Sequence, residues 1–374
     1  MPIVVREMKP DEKEGVEELF RRSLCITDRL IFQLSFEDSL KSARRSCGGT
    51  LVAEWEDKIV GALSMRIQSI KGEKIGYIDA LVSDKEFRGR RIGRSLVDEA
   101  LSWLMDRGCE VIYATADRYN SPSWNLFIHR GFYPYEAPQH LRDYGFEFLR
   151  LWLGEYYFIA FGAFFLRKDI GKEKKALGET KERWHWLAAL LGVSGVWWTQ
   201  LFRSQGSLML FPAFLVATAI SLLIHELPQS SAAKRLGLET TFKAWSSGLI
   251  FSTFLGFLGL FFPAYGSTYI KRLDWWYDPK KDGTGIVFAL GPISSLMLSF
   301  LLLTISSMTK EKLLVASATV GYVTSLSIAI LNLIPIKAAG GFVWDGKKIL
   351  DWNKGLWGIL VTAAIALVLI DVFL

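Results

Sequence analysis

The chain has 374 residues, 51% hydrophobic and 22% charged, with a formal net charge of +6. That length is ample for two domains, and the composition excludes an intrinsically disordered chain. Charge runs crowd into the part before residue 184 and long uncharged stretches follow, which excludes a purely soluble protein.

Residues 1–166 read as a soluble α/β unit. Alternation predicts a strand over 2–8, and the spacing of Val16, Leu19, Phe20 and Leu24 predicts a helix over 10–24. Residues 50–55 and 58–70 are two strands split by Glu56-Asp57, a hairpin signal, and 74–82 is a further strand. Leu96, Val97, Ala100, Leu101 and Leu104 give an amphipathic helix over 92–105, stopped by Gly108. A buried strand over 111–116 and a short helix over 121–130 follow. Residues 154–166 are apolar and aromatic but short for a bilayer span. They are expected to be the last strands of the soluble unit, with a surface-bound hairpin as the alternative.

Residues 167–183 form a basic linker, read as a solvated tether or a segment held on the cytoplasmic leaflet. Apolar stretches then run over 186–202, 207–224, 249–265, 285–306, 313–336 and 355–374. Several reach the ~20 residues that cross a bilayer. Trp184, Trp186, Trp197 and Trp198 bracket the first, as interfacial aromatics do. A multi-pass, all-α membrane domain over 184–374 is expected, with the lipid bilayer as its partner. The basic excess flanks these segments, so it orients the chain in the membrane, and no nucleic-acid partner is expected. The first eleven residues lack an apolar core, so no cleavable signal is expected. Cys25, Cys47 and Cys109 form no CxxC pair, which fits reduced thiols in the cytosol.

The informative run in the soluble unit lies between Ile78 and Arg94. A strand ends, a turn passes through Arg88-Gly89-Arg90-Arg91, and a helix opens. Amides at a helix start lack partners and carry the positive end of the dipole, so they suit a pyrophosphate. Gly89 and Gly93 allow close backbone approach, and Arg88, Arg90, Arg91 and Arg94 add positive charge. Asn120 and a short helix ending at Gly131-Phe132 follow the next strand. This order resembles the GNAT family of acetyl-CoA-dependent N-acetyltransferases over residues 1–166. The family's loop, Q/R-x-x-G-x-G/A, is seen as Arg88-Gly89-Arg90-Arg91-Ile92-Gly93.

The resemblance implies an α+β GNAT fold, a mixed central sheet flanked by helices, with acetyl-CoA as the cofactor. Leu81, Val82 and Ser83 would pair with its pantetheine arm. The amides from Arg88 to Arg94 would hold its pyrophosphate, and Asn120 would lie near its far arm. The implied reaction is direct attack of a neutral amine on the thioester, with a general base taking the proton. Asp79 is the candidate base, set against a plain solvated strand residue. His129 reads as a surface helix residue, and His140 has no assigned role. Two positions depart from the family. Arg91 stands at the first loop glycine, and Phe127 stands where the family's general-acid Tyr is common. Tyr119, Tyr133 or water would then serve the leaving thiolate.

In the membrane part, His225-Glu226 sits near the end of an apolar helix, where ionisable residues are costly and point to function. Gly291-Pro292 begins a later apolar helix, and Asn332-Leu333-Ile334-Pro335 precedes Asp345-Gly346. These three motifs, in this order, resemble the site-2 protease family of intramembrane zinc metalloproteases, which reads H-E-x-x-H, Gly-Pro, then N-x-x-P and Asp-Gly. The resemblance covers residues 186–374. It implies His225 and Asp345 as zinc ligands and Glu226 as the residue that activates water. Gln229 replaces the second His, Pro228 falls inside the motif, and the spacing before Asp345 is longer than the family's. The segment 249–265 is expected to re-enter rather than cross. Asp345 then returns to the side of His225, and Lys271, Arg272, Lys280 and Lys281 face the cytoplasm.

The preferred reading is a membrane-tethered N-acetyltransferase acting on an amine-bearing acceptor, protein or small molecule, with a cytoplasmic GNAT domain and a degenerate protease-like domain. The alternatives are an intramembrane zinc metalloprotease, cutting a membrane-protein substrate under an acetyl-CoA-sensing GNAT domain, and a non-catalytic scaffold.

Overall fold

A computed structural model describes residues 3–24, 26–117, 120–158, 160, 162–171, 180–204, 207–270, 283–336 and 343–373. Cys25, Tyr119, and the basic residues Lys271, Arg272, Lys280 and Lys281 lie outside the described residues. The described residues divide into two compact units, one over 3–171 and one over 180–336 and 343–373.

The first unit is built on a seven-stranded mixed sheet. In chain order come β1 (Val4–Glu7), α1 (Lys13–Ser23), α2 (Ile26–Ala43), β2 (Gly48–Trp55), β3 (Lys58–Ile70), β4 (Glu73–Ser83) and α3 (Ile92–Asp106). They are followed by β5 (Val111–Asp117), α4 (Ser121–Ile128), β6 (Tyr133–Tyr135), α5 (Ala137–Tyr144), α6 (Phe148–Gly154) and β7 (Ala163–Asp169). The strand order is β1-β2-β3-β4-β5-β7-β6. Every neighbouring pair is antiparallel except β4 with β5, which are parallel because α3 carries the chain back between them. This is the expected α+β fold.

The α1 stripe Val16, Leu19 and Phe20 packs with Phe36 of α2 on Val52, Ala62 and Val82. The α3 stripe packs on Leu51, Leu63 and Ile78. Each buried side chain of this size contributes about 1.5–3 kcal/mol. Four elements were not foreseen: α2, β6, α5 and α6. Residues 154–166 do not supply several last strands: α6 ends at Gly154 and, among the described residues, β7 alone follows. β7 also takes in Arg167, Lys168 and Asp169, which the sequence assigned to the tether. Arg167 is buried there because Asp169 meets its charge at 2.6 Å.

The second unit contains α7 (Glu182–Arg203), α8 (Phe211–Arg235), β8 (Thr240–Ala244), α9 (Ser246–Phe257) and β9 (Gly266–Ile270). α10 (Gly285–Met308), α11 (Lys312–Leu333), α12 (Asp345–Trp352) and α13 (Lys354–Phe373) complete it. Among the described residues, α8 with the 3-10 turn before it, α10, α11 and α13 are long and apolar enough to cross a bilayer. α7 is not one of these, since its 22 residues include four tryptophans, a histidine and a glutamine. The helices touch through small hydroxyl residues, as membrane helices do. Ser221 lies 2.9 Å from Ser325, and Trp197 donates to Thr324 at 2.9 Å.

The unit is not wholly helical, as the sequence reading had it, because β8 and β9 form an antiparallel ribbon. The 12 residues of α9 span only about 18 Å, short of the ~30 Å hydrocarbon core. The chain leaves β8 on α9 and comes back to pair with β8 through β9, so the two ends of this segment lie side by side.

Candidate functional site

In the first unit, β4 and β5 part company. They pair only from Ile75↔Val111 to Ile78↔Ala114. Beyond that point β5 stays paired with β7 on its other edge, as it is along its whole length, while Ala80 to Ser83 stay paired with β3. No strand covers the other edge of β4 from Asp79 to Ser83 among the described residues. Asp79 is the extra residue of a β-bulge, skipped between Ser64↔Ala80 and Met65↔Ile78, and bulges re-aim side chains beside functional sites.

Leu81, Val82 and Ser83 lie on this free edge and lead into the turn. Asp84 anchors the strand end, bonded through its amide to Val60 and paired with Arg22 at 3.0 Å. Gly89 has φ +80°, which the turn requires, and a side chain there would meet open space. Arg91 takes the left-handed conformation at φ 62° and is the N-cap of α3. The first amides of α3, including those of Gly93 and Arg94, have no intrahelical partners, and no acidic residue occupies that first turn. Arg88, Gly89, Arg90, Arg91 and Arg94 are exposed. Arg90 stacks over Trp55 at 4.6 Å. Asn120 is the N-cap of α4, its side chain accepting from the Ser123 amide.

At the fork itself lies a group of charged residues, two of them missed by the sequence reading. Arg66 of β3 donates twice to Asp79, at 2.6 Å each, and also to the carbonyl of Gly154 at the end of α6. The Asp79 side chain is 1% exposed, so the solvated alternative is corrected: without Arg66 its charge would have no counterpart. The next residue after Gly154, Glu155, is buried and bonded to Thr115 of β5, the first residue past the last β4–β5 pair. Its Oε1 has no hydrogen-bond partner. Burial pushes both carboxyls up, and Arg66 draws Asp79 back by its two-point bond. Glu155 is held well above the ordinary carboxyl range by burial and by the Asp79 charge, and so binds a proton more readily than an ordinary carboxylate. Tyr156 closes the group, its hydroxyl donating to Asp38 of α2. Nothing in sequence spacing announces Glu155 or Arg66, since α6 was not foreseen and the contacts are tertiary.

The other tyrosine and histidine candidates lie elsewhere. Tyr133 donates its hydroxyl to Asp169, and Phe127 is buried against Phe132. His129 is exposed, as expected. His140 is a core residue whose Nδ1 accepts from Trp152 at 2.7 Å. Burial pushes it down to about 3, so it is neutral.

In the second unit the three motifs meet. His225 and Gln229 share a face of α8, one turn apart. The Nδ1 of His225 lies 2.9 Å from Ser295 of α10. Gly291 is needed for this approach, because a side chain there would fall 2.1 Å from Gln229 and 2.8 Å from His225. The end of α11 is bonded to the start of α12, Trp344 N donating to Ile336 O at 3.2 Å, and this delivers Asp345. The Gln229 amide donates to Asp345 at 2.9 Å and lies 3.4 Å from the Nε2 of His225. Lys348, one turn along α12, pairs with the other oxygen of Asp345 at 2.9 Å. Glu226 points to the ribbon, accepting from Tyr265 at 2.7 Å and from Thr268. Pro228 is accommodated inside α8. Lys348 was missed, because its i,i+3 spacing from Asp345 does not show that both are buried.

Comparison with known proteins agrees with both halves. Residues 14–132 match the model of the acetyltransferase (GNAT) family. Among solved structures, the chain is similar to one from a NatC complex bound to Gag peptide and CoA, with 19% identity, 46% of this chain and 99% of that one covered, and a TM-score of 0.34. It is also similar to the PaiA N-acetyltransferase of Thermoplasma acidophilum in complex with coenzyme A, with 17% identity, coverage of 45% and 99%, and a TM-score of 0.33. A curated relative from Methanocaldococcus jannaschii, named "Putative zinc metalloprotease", is 30% identical over 156 residues, which cover 41% of this chain and 77% of the relative. The chain belongs to the family of that relative and carries a GNAT-family domain at its N-terminus: it is a fusion of a GNAT domain with a protease-like membrane domain.

Proposed function

We propose that the first unit transfers the acetyl group of acetyl-CoA to an amine on the cytoplasmic side of a bilayer, in which the second unit anchors it. The observation that carries this is the fork between β4 and β5. It joins a free strand edge, a left-handed arginine-rich turn and an uncapped helix start at one end to a buried carboxyl pair at the other. A strand edge beside helix amides fits an extended molecule with amides along its length and phosphates at its end.

Leu81, Val82 and Ser83 would bond the extended arm through their backbones, and the amides from Arg88 to Arg94 would hold the phosphates. When bound, acetyl-CoA supplies an activated acyl thioester. In its ionised form Glu155 takes on Oε1 the proton that the attacking amine gives up, its raised proton affinity making it a stronger base than an ordinary carboxylate, while Thr115 holds its other oxygen. Asp79 cannot fill that role while both its oxygens are bonded to Arg66, and it acts instead by fixing the wall of the fork. With Phe127 apolar and Tyr133 engaged by Asp169, water serves the leaving thiolate.

The cytoplasmic placement rests on where acetyl-CoA is available and on the basic residues flanking the apolar segments. The test is calorimetry of acetyl-CoA with the full chain in detergent, followed by thiol release in the presence of a panel of amines, from N-terminal peptides to polyamines. Saturable binding with amine-dependent thiol release is expected. A chain that binds no acetyl-CoA would sink the proposal.

A further inference from the structure

The family of the second unit implies a zinc ion, and the residues around His225 do not fit one. Zinc takes three or four protein ligands of the thiolate, imidazole and carboxylate kinds. Among the described residues, no group of three such side chains gathers anywhere. His225 and Asp345 come together, and the third corner is Gln229, a neutral amide and a poor zinc ligand beside imidazole.

The hydrogen bonds make the misfit specific. A carboxylate only accepts, so the group of Gln229 that faces Asp345 at 2.9 Å is its NH2. The same NH2 faces the Nε2 of His225, which therefore presents its lone pair there and carries its proton on Nδ1, toward Ser295. Both lone pairs that a metal ion would use are thus turned toward one amide. The remaining oxygen of Asp345 meets the Lys348 ammonium at 2.9 Å, with side chains 3% and 1% exposed. Lys348 is seated over the ring of Phe288 of α10 at 4.1 Å. A buried carboxylate needs a compensating charge, and here a lysine of its own helix supplies it. A divalent cation placed on Asp345 would be set against that ammonium at close range, with little water to screen the repulsion.

We infer that Gln229 and Lys348 stand in place of the metal ion: the amide bridges His225 to Asp345, the ammonium neutralises Asp345, and α8, α10 and α12 are held together by a metal-free polar lock. Both oxygens of Glu226 are occupied by Tyr265 and Thr268, so the residue that would activate water is also built into the structure. The second unit is a fold of the protease kind whose centre is closed against hydrolysis. This inference does not depend on acetyl transfer.

The test is metal content of the full chain, purified in detergent and equilibrated with zinc chloride. The wild type is expected to carry only trace zinc and to keep its unfolding temperature in EDTA. The Gln229→His/Lys348→Met variant is expected to rise to one zinc per chain and to lose it when His225→Ala is added. Lys348→Met alone is expected to lower the unfolding temperature, and Lys348→Met/Asp345→Asn to regain most of the loss. Stoichiometric zinc in the wild type that disappears in His225→Ala would overturn the inference. So would independent, additive effects of the Lys348 and Asp345 changes.

Discussion

Arg66 and Asp79 are joined by two parallel hydrogen bonds of 2.6 Å where the β3–β4 ladder is interrupted by a bulge. The pair is nearly shut off from water, and the same guanidinium reaches the last carbonyl of α6. One side chain thereby ties β3, β4 and α6 together at the mouth of the fork. Breaking a buried pair from one side leaves a bare charge, at a cost of about 3–5 kcal/mol. Arg66→Ala is therefore expected to lower stability by about that amount. Replacing both partners by similar-sized apolar groups should cost less than Arg66→Ala alone. Denaturant unfolding of the three variants measures the difference.

Glu155 supplies a second expectation. A carboxyl whose folded value is raised holds its proton after the unfolded chain has lost it. Its contribution to stability is present below the ordinary carboxyl value and is lost as pH rises toward the folded value. Glu155→Gln should flatten that decline and stabilise the unit at neutral pH. It should also reduce amine-dependent thiol release by about 100-fold or more, with acetyl-CoA affinity unchanged. A variant that turns over like the wild type would remove Glu155 from the chemistry.

The turn makes a third. Arg91 sits at φ 62°, a conformation that costs a side-chain-bearing residue about 1–2 kcal/mol. Arg91→Gly relieves that strain and restores the family's glycine. It is expected to leave acetyl-CoA affinity within a few-fold of wild type. Gly89→Val at φ 80° adds strain at the neighbouring position and is expected to weaken binding at least tenfold. Calorimetry on the two variants separates loop shape from loop charge.

His140 is the fourth. Burial pushes it down to about 3, from an ordinary value of 6.5. The unfolded chain gains a proton that the folded one refuses, so its contribution is complete above pH 6.5 and is lost as pH falls toward 3. The slope reaches about 1.4 kcal/mol per pH unit. His140→Gln keeps an acceptor for Trp152 and does not titrate. It should unfold with a shallower acid dependence than the wild type, measured by thermal melts between neutral pH and the acid limb.

The sequence was most legible where apolar spacing has a single period. Val16, Leu19 and Phe20 announced α1, and Leu96, Val97 and Leu104 announced α3, because each stripe faces one core. α2 gave no such signal. Ile26, Leu30 and Leu34 are exposed on it while Phe36 is buried, so its apolar residues point to more than one side. α6 was hidden in the same way, with Leu153 exposed beside buried Leu151 and Trp152. The turn before α3 could be read because a loop that suits phosphates is local. The carboxyl pair could not, because Asp79 and Glu155 lie 76 positions apart and meet only when α6 returns to the sheet. His225, Gln229 and Asp345 were read as a damaged metal site. The compensating charge on Lys348 depended on burial, which spacing does not reveal.

The uncovered edge of β4 has a cost when nothing is bound to it. From Asp79 to Ser83 the backbone groups on the side away from β3 have no strand beside them among the described residues, much as on an edge strand, although this stretch lies inside the sheet. Those amides are then the ones most ready to trade their hydrogens for deuterium, and the segment is a template onto which an extended peptide could zip. Filling the edge with an amide-rich ligand should protect these positions selectively, while β1, β2 and β3 exchange as before. The same vacancy predicts that the empty protein is the form more prone to self-association.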